Sequence, residues 1–415
     1  MDIILYAVPF FFALIAVELI ADRVKATHHY RLSDSLTSLS TGTLSQLMGI
    51  IHLLIPFTAY IWLYQNYALF EITHSPWNWV WVFVLYDLAY YWKHRFGHEI
   101  NIMWAAHVVH HSSEEFNLST ALRQTSGSNI GFLIYLPLAV LGIDPVMLAT
   151  VGGLNLVYQY WVHTQHIDKL GWMEKVFVTP SNHRGHHAQN TVYIDRNYGG
   201  VFILWDRLFG TFQPELDDDK PVFGIRGALA SWNPLWANLQ IFSQLARDCY
   251  HTKNWWHKFS LWFRRTGWRP PDVVERFPVS KLEDLSGFQK FDVKASTSAK
   301  WYATVQYILH AGVSLFLLLN INAFSLTEML SYIALLTLGS WSMGAVLESK
   351  ANAIIFDFLK YIALVLLSIL AASAGFTMQA FIGVCALVSI AVVLYAALLG
   401  PPLHTPGDEV HAQAL

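Results

Sequence analysis

Apolar residues in this chain form long continuous blocks that are separated by polar segments. A helix that crosses a lipid bilayer needs about 20 mainly apolar residues. Blocks of roughly this length predict three early spans at residues 3–20, 47–64 and 77–91, and four late spans at residues 302–321, 326–347, 354–374 and 378–399. The pattern therefore predicts an all-α, polytopic membrane protein.

One apolar block, residues 130–161, is interrupted by the sequence Gly142-Ile143-Asp144-Pro145. The interruption leaves one arm of about twelve residues and another of about sixteen, and both are short for a full span. Backbone that turns within a bilayer must satisfy its polar groups inside the protein. We therefore expect a re-entrant helical hairpin here, which enters the membrane and returns to the same side.

The composition supports the membrane prediction, because 54% of the residues are hydrophobic and only 13% are charged. Soluble domains typically carry about a quarter charged residues. The net charge of -3 indicates no particular partner, and nucleic-acid binding is not expected. The two cysteines, Cys249 and Cys385, lie far apart and indicate neither a disulfide framework nor a cysteine metal site.

Basic residues are distributed unevenly between the two sides of the predicted spans. The loops near residues 65–76, 322–325 and 375–377 contain no Lys or Arg, whereas basic residues follow the first span and end the third. By the positive-inside rule, the segments around residues 94–187 are expected on the cytoplasmic side. The expected location is a bacterial inner membrane, or the endoplasmic reticulum if the chain is eukaryotic.

The main polar insertion, residues 214–300, is rich in tryptophan and basic residues, as in NWWHKFSLWFRRTGW at residues 254–268. Trp together with Lys and Arg favours the headgroup region, so we expect a cap on the cytoplasmic membrane surface; a substrate site is the alternative. The expected organisation is N-terminal spans at residues 1–76, a catalytic region at 77–213, the cap at 214–300 and a four-span region at 301–415.

Ten of the nineteen histidines lie between residues 94 and 187, in four clusters with the sequences HRFGH, HVVHH, HTQH and HRGHH. Residues three and four apart share one face of a helix, so the histidines of a cluster can point at one locus. Imidazole is the commonest metal ligand, and this number exceeds what one ion coordinates. The clusters therefore predict two metal ions, with these candidate residues: His94, His98, His107, His110, His111, His163, His166, His183, His186 and His187.

Two candidates near the clusters stay open at this point. For HTQH, hydrogen-bonded histidines at the membrane surface are an equally good interpretation, and His163 is a better ligand candidate than His166. Asp87 lies seven residues before His94, two turns along the same helix face. An acid inside a span is costly, so Asp87 either orients a ligand histidine or is a simple helix-end acid.

The motifs HRFGH, HVVHH and HRGHH resemble those of the fatty acid hydroxylase/sterol desaturase superfamily of membrane di-iron enzymes. Residues 86–124 and 179–212 are similar to its alkylglycerol monooxygenase branch. This resemblance implies hydroxylation of the carbon beside an ether oxygen by O2, which releases an aldehyde and a glycerol derivative. It also implies a catalytic acid at Glu99 and these metal ligands: His94, His98, His107, His110, His111, His183, His186 and His187.

The resemblance further implies two iron ions, a membrane lipid substrate and O2. Tetrahydrobiopterin supplies the electrons in the animal enzymes, and an electron-donor protein such as a ferredoxin or cytochrome is the alternative. Two positions depart from the family pattern: Asn182 stands where an additional histidine is common, and His166 stands where an acid is common. The surroundings of the ligands are therefore expected to differ.

Other functions remain as hypotheses. The same metals would serve hydroxylation or desaturation of a fatty acyl chain or a sterol. A divalent-metal transporter is disfavoured because transport sites usually place ionisable residues within the spans, whereas these clusters gather at one surface. A non-enzymatic metal or lipid sensor would need an output domain, and the sequence offers none.

Overall fold

The computed structural model describes residues 2–52, 54–127, 130–279, 281–350 and 353. Within these residues the chain is helical, with three isolated antiparallel bridges and no extended sheet. The predicted all-α class is confirmed. The predicted spans at residues 354–374 and 378–399, and Cys385, lie outside the described residues.

Fifteen α-helices are found in the described part of the chain. Their bounds are α1 Asp2–Lys25, α2 Leu32–His52, α3 Leu54–Tyr67, α4 Pro76–Glu99, α5 Asn101–His111, α6 Leu118–Ala121, α7 Leu136–Val140, α8 Pro145–Trp161, α9 Pro180–His187, α10 Leu204–Phe209, α11 Pro234–His251, α12 Trp255–Ser260, α13 Pro271–Arg276, α14 Thr297–Leu319 and α15 Leu326–Leu347. Short 3-10 helices lie at Ile130–Tyr135, Gly171–Lys175, Leu261–Phe263, Leu285–Gly287 and Ile321–Ala323.

Two of the described helices, α14 and α15, are long and apolar enough to cross a membrane. The segments Leu32–Ile51 and Leu54–Tyr67 would form a third span if the bent pair crosses as one unit. These candidates support a multi-pass membrane protein. Helices α1 and α4 contain the first and third predicted spans, and their crossing of the bilayer stays a prediction.

The span predicted for residues 47–64 is not one straight helix, although it stays a candidate as part of the bent pair. The chain instead forms two helices, α2 and α3, whose axes are bent by 49°. Pro56 lies in the first turn of α3, where proline is tolerated; in a continuous helix it would lack a backbone donor and its ring would clash with the carbonyl of the preceding turn. Proline therefore accounts for the break, which the apolar pattern alone did not indicate.

Residues 130–161, for which a hairpin is predicted, form two helical arms on either side of Gly142, and this segment is called the hairpin below; its re-entrant path stays a prediction. The 3-10 helix Ile130–Tyr135 runs into α7, and Gly142 lies in the break between α7 and α8. Gly142 has φ +95°, and a Cβ atom there would lie 1.9 Å from the carbonyl oxygen of Phe70, so only glycine fits. Asp144 then caps α8 by accepting from the backbone N–H groups of Val146 and Met147. Whether the hairpin enters a bilayer stays a prediction.

The hairpin packs against α4 through a buried apolar cluster. Val82 of α4 lies in this cluster with Tyr135, Met147 and Val151 of the hairpin. The rings of Tyr86 and Tyr135 are stacked, with their centroids 4.8 Å apart. Burial of this kind contributes about 1.5–3 kcal/mol for each large apolar side chain. The packing fixes α4, whose last two turns carry the first histidine cluster.

The polar insertion packs directly behind α5. Ala105 on α5 is buried against Leu245 of α11 and Leu261, and Val109 is buried against Ala237 of α11. The segment at residues 214–300 therefore forms one wall of the histidine-bearing core. Its expected position on a membrane surface stays a prediction.

Candidate metal centre

The helix α9 shows how local sequence presents a histidine cluster to the core. Pro180 occupies its first turn, and Thr179 and Asn182 form a reciprocal capping box at its start. Asn182, one of the two departures from the family pattern noted in the sequence, thus completes the cap of α9. All eight residues of α9 are buried. The three histidines of HRGHH are therefore held in the protein interior.

The structure brings nine of the ten clustered histidines into two adjacent groups. Within each group the candidate ligand atoms all lie within 4.8 Å of one another. Group one contains His94, His98, His107, His111 and His186, and group two contains His110, His163, His183 and His187.

Each HxxHH cluster contributes to both groups, and helical geometry explains the division. His107 and His111, four residues apart on α5, belong to group one, whereas His110 turns to group two. On α9 the arrangement is reversed, because His183 and His187 belong to group two and His186 to group one. With 3.6 residues per turn, positions i+3 and i+4 fall on opposite sides of position i around the helix axis, so they can face different groups.

The ring nitrogens of group one point toward one another. His107 Nε2 lies 3.1 Å from His94 Nε2 and 3.2 Å from His111 Nε2. On the opposite side of the rings, His94 Nδ1 donates to the Tyr198 carbonyl and His186 Nδ1 donates to the Arg196 carbonyl, both at 2.8 Å.

Group two is built in the same way. His163 Nε2 lies 2.9 Å from His183 Nε2 and 3.3 Å from His110 Nε2. His163 Nδ1 donates to the Gln159 carbonyl at 2.8 Å, and His110 Nδ1 donates to the Arg123 carbonyl at 3.0 Å. The two groups adjoin, since the stacked rings of His111 and His187 have centroids 4.3 Å apart.

These contacts indicate that both groups fit metal ions. A carbonyl is only an acceptor, so each Nδ1 that donates to one carries the proton and leaves the lone pair on Nε2. Lone pairs that face each other at about 3 Å repel unless a cation lies between them. The Nε2 atoms of His98 and His186 are also buried and have no hydrogen-bond partner among the described residues.

The electrostatics of the site favour neutral imidazole, which is the form that binds metals. Burial lowers the pKa of His110 to about 4 and that of His186 to about 3. Burial, followed by the neighbouring imidazoles, lowers the pKa of His107 and His111 well below the ordinary value. Desolvation penalises the charged form of each ring. No proton therefore competes with a metal at neutral pH.

The donor set consists of imidazole nitrogen alone in both groups. Nitrogen donors suit iron, zinc, copper and nickel, whereas magnesium and calcium prefer oxygen. Nine donors are enough for two ions. The two groups are therefore candidate sites for two metal ions, and their histidines come from α4, α5, α9 and the loop that directly follows α8.

Two of the residues predicted from the sequence lie outside both groups. The Glu99 carboxylate is partly exposed and accepts from Arg95 Nε at 2.9 Å, one turn back on α4. His166 lies with its Nε2 4.0 Å from Asp22 and its ring edge-on to His29. Of the two HTQH histidines, His163 belongs to group two and His166 belongs to neither group.

Asp87 is a buried carboxylate that accepts four hydrogen bonds, and we call it the hub below. Among the described residues, none of these bonds comes from a histidine. Its carboxylate accepts from Asn155 Nδ2 at 2.7 Å and from the backbone N–H of Val201 at 2.8 Å. It also accepts from the backbone N–H of Phe202 at 3.0 Å and from Trp205 Nε1 at 2.9 Å. Asp87 therefore joins α4 and α8 to the loop that provides the carbonyl acceptor for His94.

Sequence reasoning missed two buried ion pairs that support the ligands. Arg123 is buried with Asp34, its Nη1 lying 3.8 Å from the carboxylate, and its own carbonyl accepts from His110. Arg184, inside HRGHH, pairs with buried Glu215 at 2.8 Å. The signal for Arg184 was its place inside a histidine cluster, whereas Arg123 lies outside the clusters; the acidic partner of each is remote in the chain.

Comparison with known proteins places this site in context. A family model described as fatty acid hydroxylase matches residues 79–211, which contain all nine histidines. Alkylglycerol monooxygenase from Homo sapiens is 36% identical over 364 residues, which are 86% of this chain and 81% of the relative. Alkylglycerol monooxygenase from Danio rerio is 34% identical over 388 residues, covering 91% and 86%.

More distant relatives share a shorter region. Ornithine lipid hydroxylase OlsE from Rhizobium tropici is 26% identical over 155 residues, which are 35% of this chain and 45% of the relative. No solved structure gives a significant match.

Proposed function

The chain belongs to the fatty acid hydroxylase family, and from this premise we propose that it is a di-iron membrane monooxygenase that cleaves the ether bond of alkylglycerols. The observation that carries the proposal is the pair of adjacent, buried, all-histidine groups. The coverage of the two vertebrate alkylglycerol monooxygenases, at more than four fifths of each chain, supports the choice of substrate.

The proposed reaction balances with an external reductant. O2, two electrons and two protons convert the carbon beside the ether oxygen to a hydroxylated carbon, and one oxygen atom leaves as water. The product is a hemiacetal, which separates into an aldehyde and glycerol. Iron bound at the two groups would supply the O2 and C–H chemistry that protein side chains cannot perform. Tetrahydrobiopterin or an electron-donor protein would supply the electrons.

The residues of the chain would perform three tasks in this reaction. The Nδ1 hydrogen bonds to backbone carbonyls fix the tautomer and orientation of the ligand rings. Aromatic rings cover the groups, since Phe116 stacks on His163 and Trp104 lies against His98. Such covering excludes bulk water from a site where reactive oxygen species would otherwise be lost.

The position of the site relative to the membrane forms part of the proposal. We place the histidine groups at the cytoplasmic end of the spans, as the distribution of basic residues predicts. A lipid tail can then stay in the bilayer while the ether carbon reaches the metals. Hydroxylation of another membrane lipid is the second candidate, because the match to an ornithine lipid hydroxylase supports it.

The proposal is tested by loading the purified protein with iron without oxygen and then adding O2. An alkylglycerol and a free fatty acid are compared, each with and without tetrahydrobiopterin. Release of aldehyde from the alkylglycerol alone is the expected result, and dependence on the pterin would identify the reductant. A hydroxylated fatty acid without aldehyde would favour the second candidate. Metal uptake by sealed vesicles without any oxidised lipid would instead favour a transporter.

A further inference from the structure

Lys93, which directly precedes His94 on α4, is a cation without an anionic partner. Its side chain is half-buried, and the structure gives its ammonium group no hydrogen bond or ion pair among the described residues. Its contacts are aromatic instead, because Nζ lies 5.7 Å from the ring centroids of both Tyr90 and Tyr135. Cation–π contacts leave the three N–H donors of lysine free to bind an acceptor.

Three arginines in or near the histidine clusters differ from Lys93, because each has an acidic partner. Arg95 pairs with Glu99 at 2.9 Å, and Arg184 pairs with Glu215 at 2.8 Å. Arg123 lies 3.8 Å from the carboxylate of Asp34. A half-buried charge is costly unless it is paired. Lys93 has no such partner among the described residues, so an anionic ligand would stabilise its charge.

Lys93 also lies at the junction between the apolar and metal-binding parts of the protein. Its stem packs on the 3-10 helix of the hairpin, where a Cβ atom at Gly131 would be only 3.2 Å from Lys93 Cγ. The ring of Tyr90, which faces the ammonium, also meets the His94 ring edge-on, with centroids 5.4 Å apart. Tyr90 therefore contacts both the ammonium and a histidine of group one.

The charge balance of the site favours the same kind of ligand. All nine candidate metal ligands are imidazoles, which bring no negative charge to balance bound cations. A substrate whose head group is anionic would supply that charge next to Lys93. Ammonium groups bind phosphate oxygens by charge-assisted hydrogen bonds, which are roughly twice as strong as neutral ones.

We propose that Lys93 is a specificity-determining residue that binds a phosphate group on the glycerol of the lipid substrate. The inference rests on the proposed function and deepens it, because it assigns phosphate-bearing glyceryl ethers to the site in preference to neutral alkylglycerols. Phosphate of the surrounding phospholipid has the same chemistry, so the test must distinguish substrate from bulk lipid.

The test measures equilibrium binding to the iron-loaded, full-length protein in a neutral detergent, without O2 and without reductant. The two probes share one alkyl chain: a 1-alkylglycerol and the corresponding 1-alkylglycerol 3-phosphate. The expected result is that the wild-type protein binds the phosphate form at least about tenfold more tightly. This ratio should fall close to one in Lys93→Met and be largely kept in Lys93→Arg.

Lys169→Met is the matched control, because Lys169 is an exposed lysine that already pairs with Asp217; it should keep the wild-type ratio. Iron content and thermal unfolding are recorded for every variant, and if Lys93→Met misfolds, Lys93→Gln replaces it. Absence of a phosphate preference in the wild type, or its survival in the folded methionine or glutamine variant, would overturn the assignment. Equal competition by a diacyl phosphatidic acid would also overturn it, since bulk lipid would then suffice.

Binding without turnover keeps the two proposals separate. If Lys93 controls the phosphate preference but no ether lipid is cleaved, the inference stands and the proposed reaction fails. If alkylglycerols are cleaved but the preference is independent of Lys93, the proposed function stands and the inference fails.

Discussion

Replacing Asp87 with asparagine tests how the hub supports the metal centre. The substitution keeps the shape of the side chain but converts one carboxylate oxygen into an NH2 group. Four donors face the native carboxylate, two at each oxygen. An amide can accept from only one side, so two buried N–H groups lose their acceptor and face another donor.

The size of the effect follows from these contacts. A hydrogen bond to a charged group contributes about 1.5–3 kcal/mol, so the loss of two costs about 3–6 kcal/mol. No cation pairs with Asp87 among the described residues. Removing an unpaired buried charge is favourable, so it offsets part of this loss in the free energy of unfolding. We expect a net loss of about 2–4 kcal/mol in the free energy of unfolding. The released loop should also weaken iron binding by group one.

Thermal unfolding and iron content of the purified variant are the measurements. Asp217→Asn is the control, because the Asp217 side chain is 82% exposed and its variant should match the wild type. Wild-type unfolding together with full iron content in Asp87→Asn would refute the assignment of Asp87 as a hub.

Three further predictions concern the groups and their loop. His163→Ala should reduce the iron bound per chain whereas His166→Ala should not, and elemental analysis of the two proteins compares them; equal iron content would remove His163 from group two. Gly200→Ala places a methyl group 2.7 Å from a buried carboxylate oxygen, so the free energy of unfolding should fall by about 1–3 kcal/mol in a thermal melt, and an unchanged melt would contradict this contact. In the metal-free protein the pKa of His110 is about 4 and that of His186 about 3, below their ordinary value near 6.5, so unfolding takes up protons as the pH falls from 6.5 toward 4. Stability should therefore decrease across that window by about 1.4 kcal/mol per pH unit for each histidine, and melts of chelated protein at pH 7 and pH 5 test the sign.

Local pattern was sufficient for the histidine-bearing helices. The i, i+3 and i+4 spacing of His107, His110 and His111 depends only on helix geometry, and the count of histidines indicated two metals. The division of each cluster between two groups needed the relative placement of α5 and α9, which no short sequence window contains. His163 lies in the loop just after α8, so helical spacing could not separate it from His166.

The supporting residues could not be found from the sequence, because their partners are distant along the chain. Asp87 was recognised as a costly acid in an apolar helix, but its acceptor role depends on Val201 and Phe202, more than a hundred residues away. The pair of Arg123 with Asp34 likewise joins remote segments. The bend between α2 and α3 was missed because the apolar pattern continues through Pro56.

The most direct test of the central claim is the number of iron ions that the full-length protein binds when it is loaded under strictly anaerobic conditions. Imidazole sites generally bind zinc more tightly than Fe(II), so zinc must be removed beforehand. Two irons per chain in the wild type, falling in both His111→Ala and His187→Ala, is the result that the two histidine groups predict. One iron per chain, or full iron content in both variants, would contradict a two-metal centre built from these nine histidines.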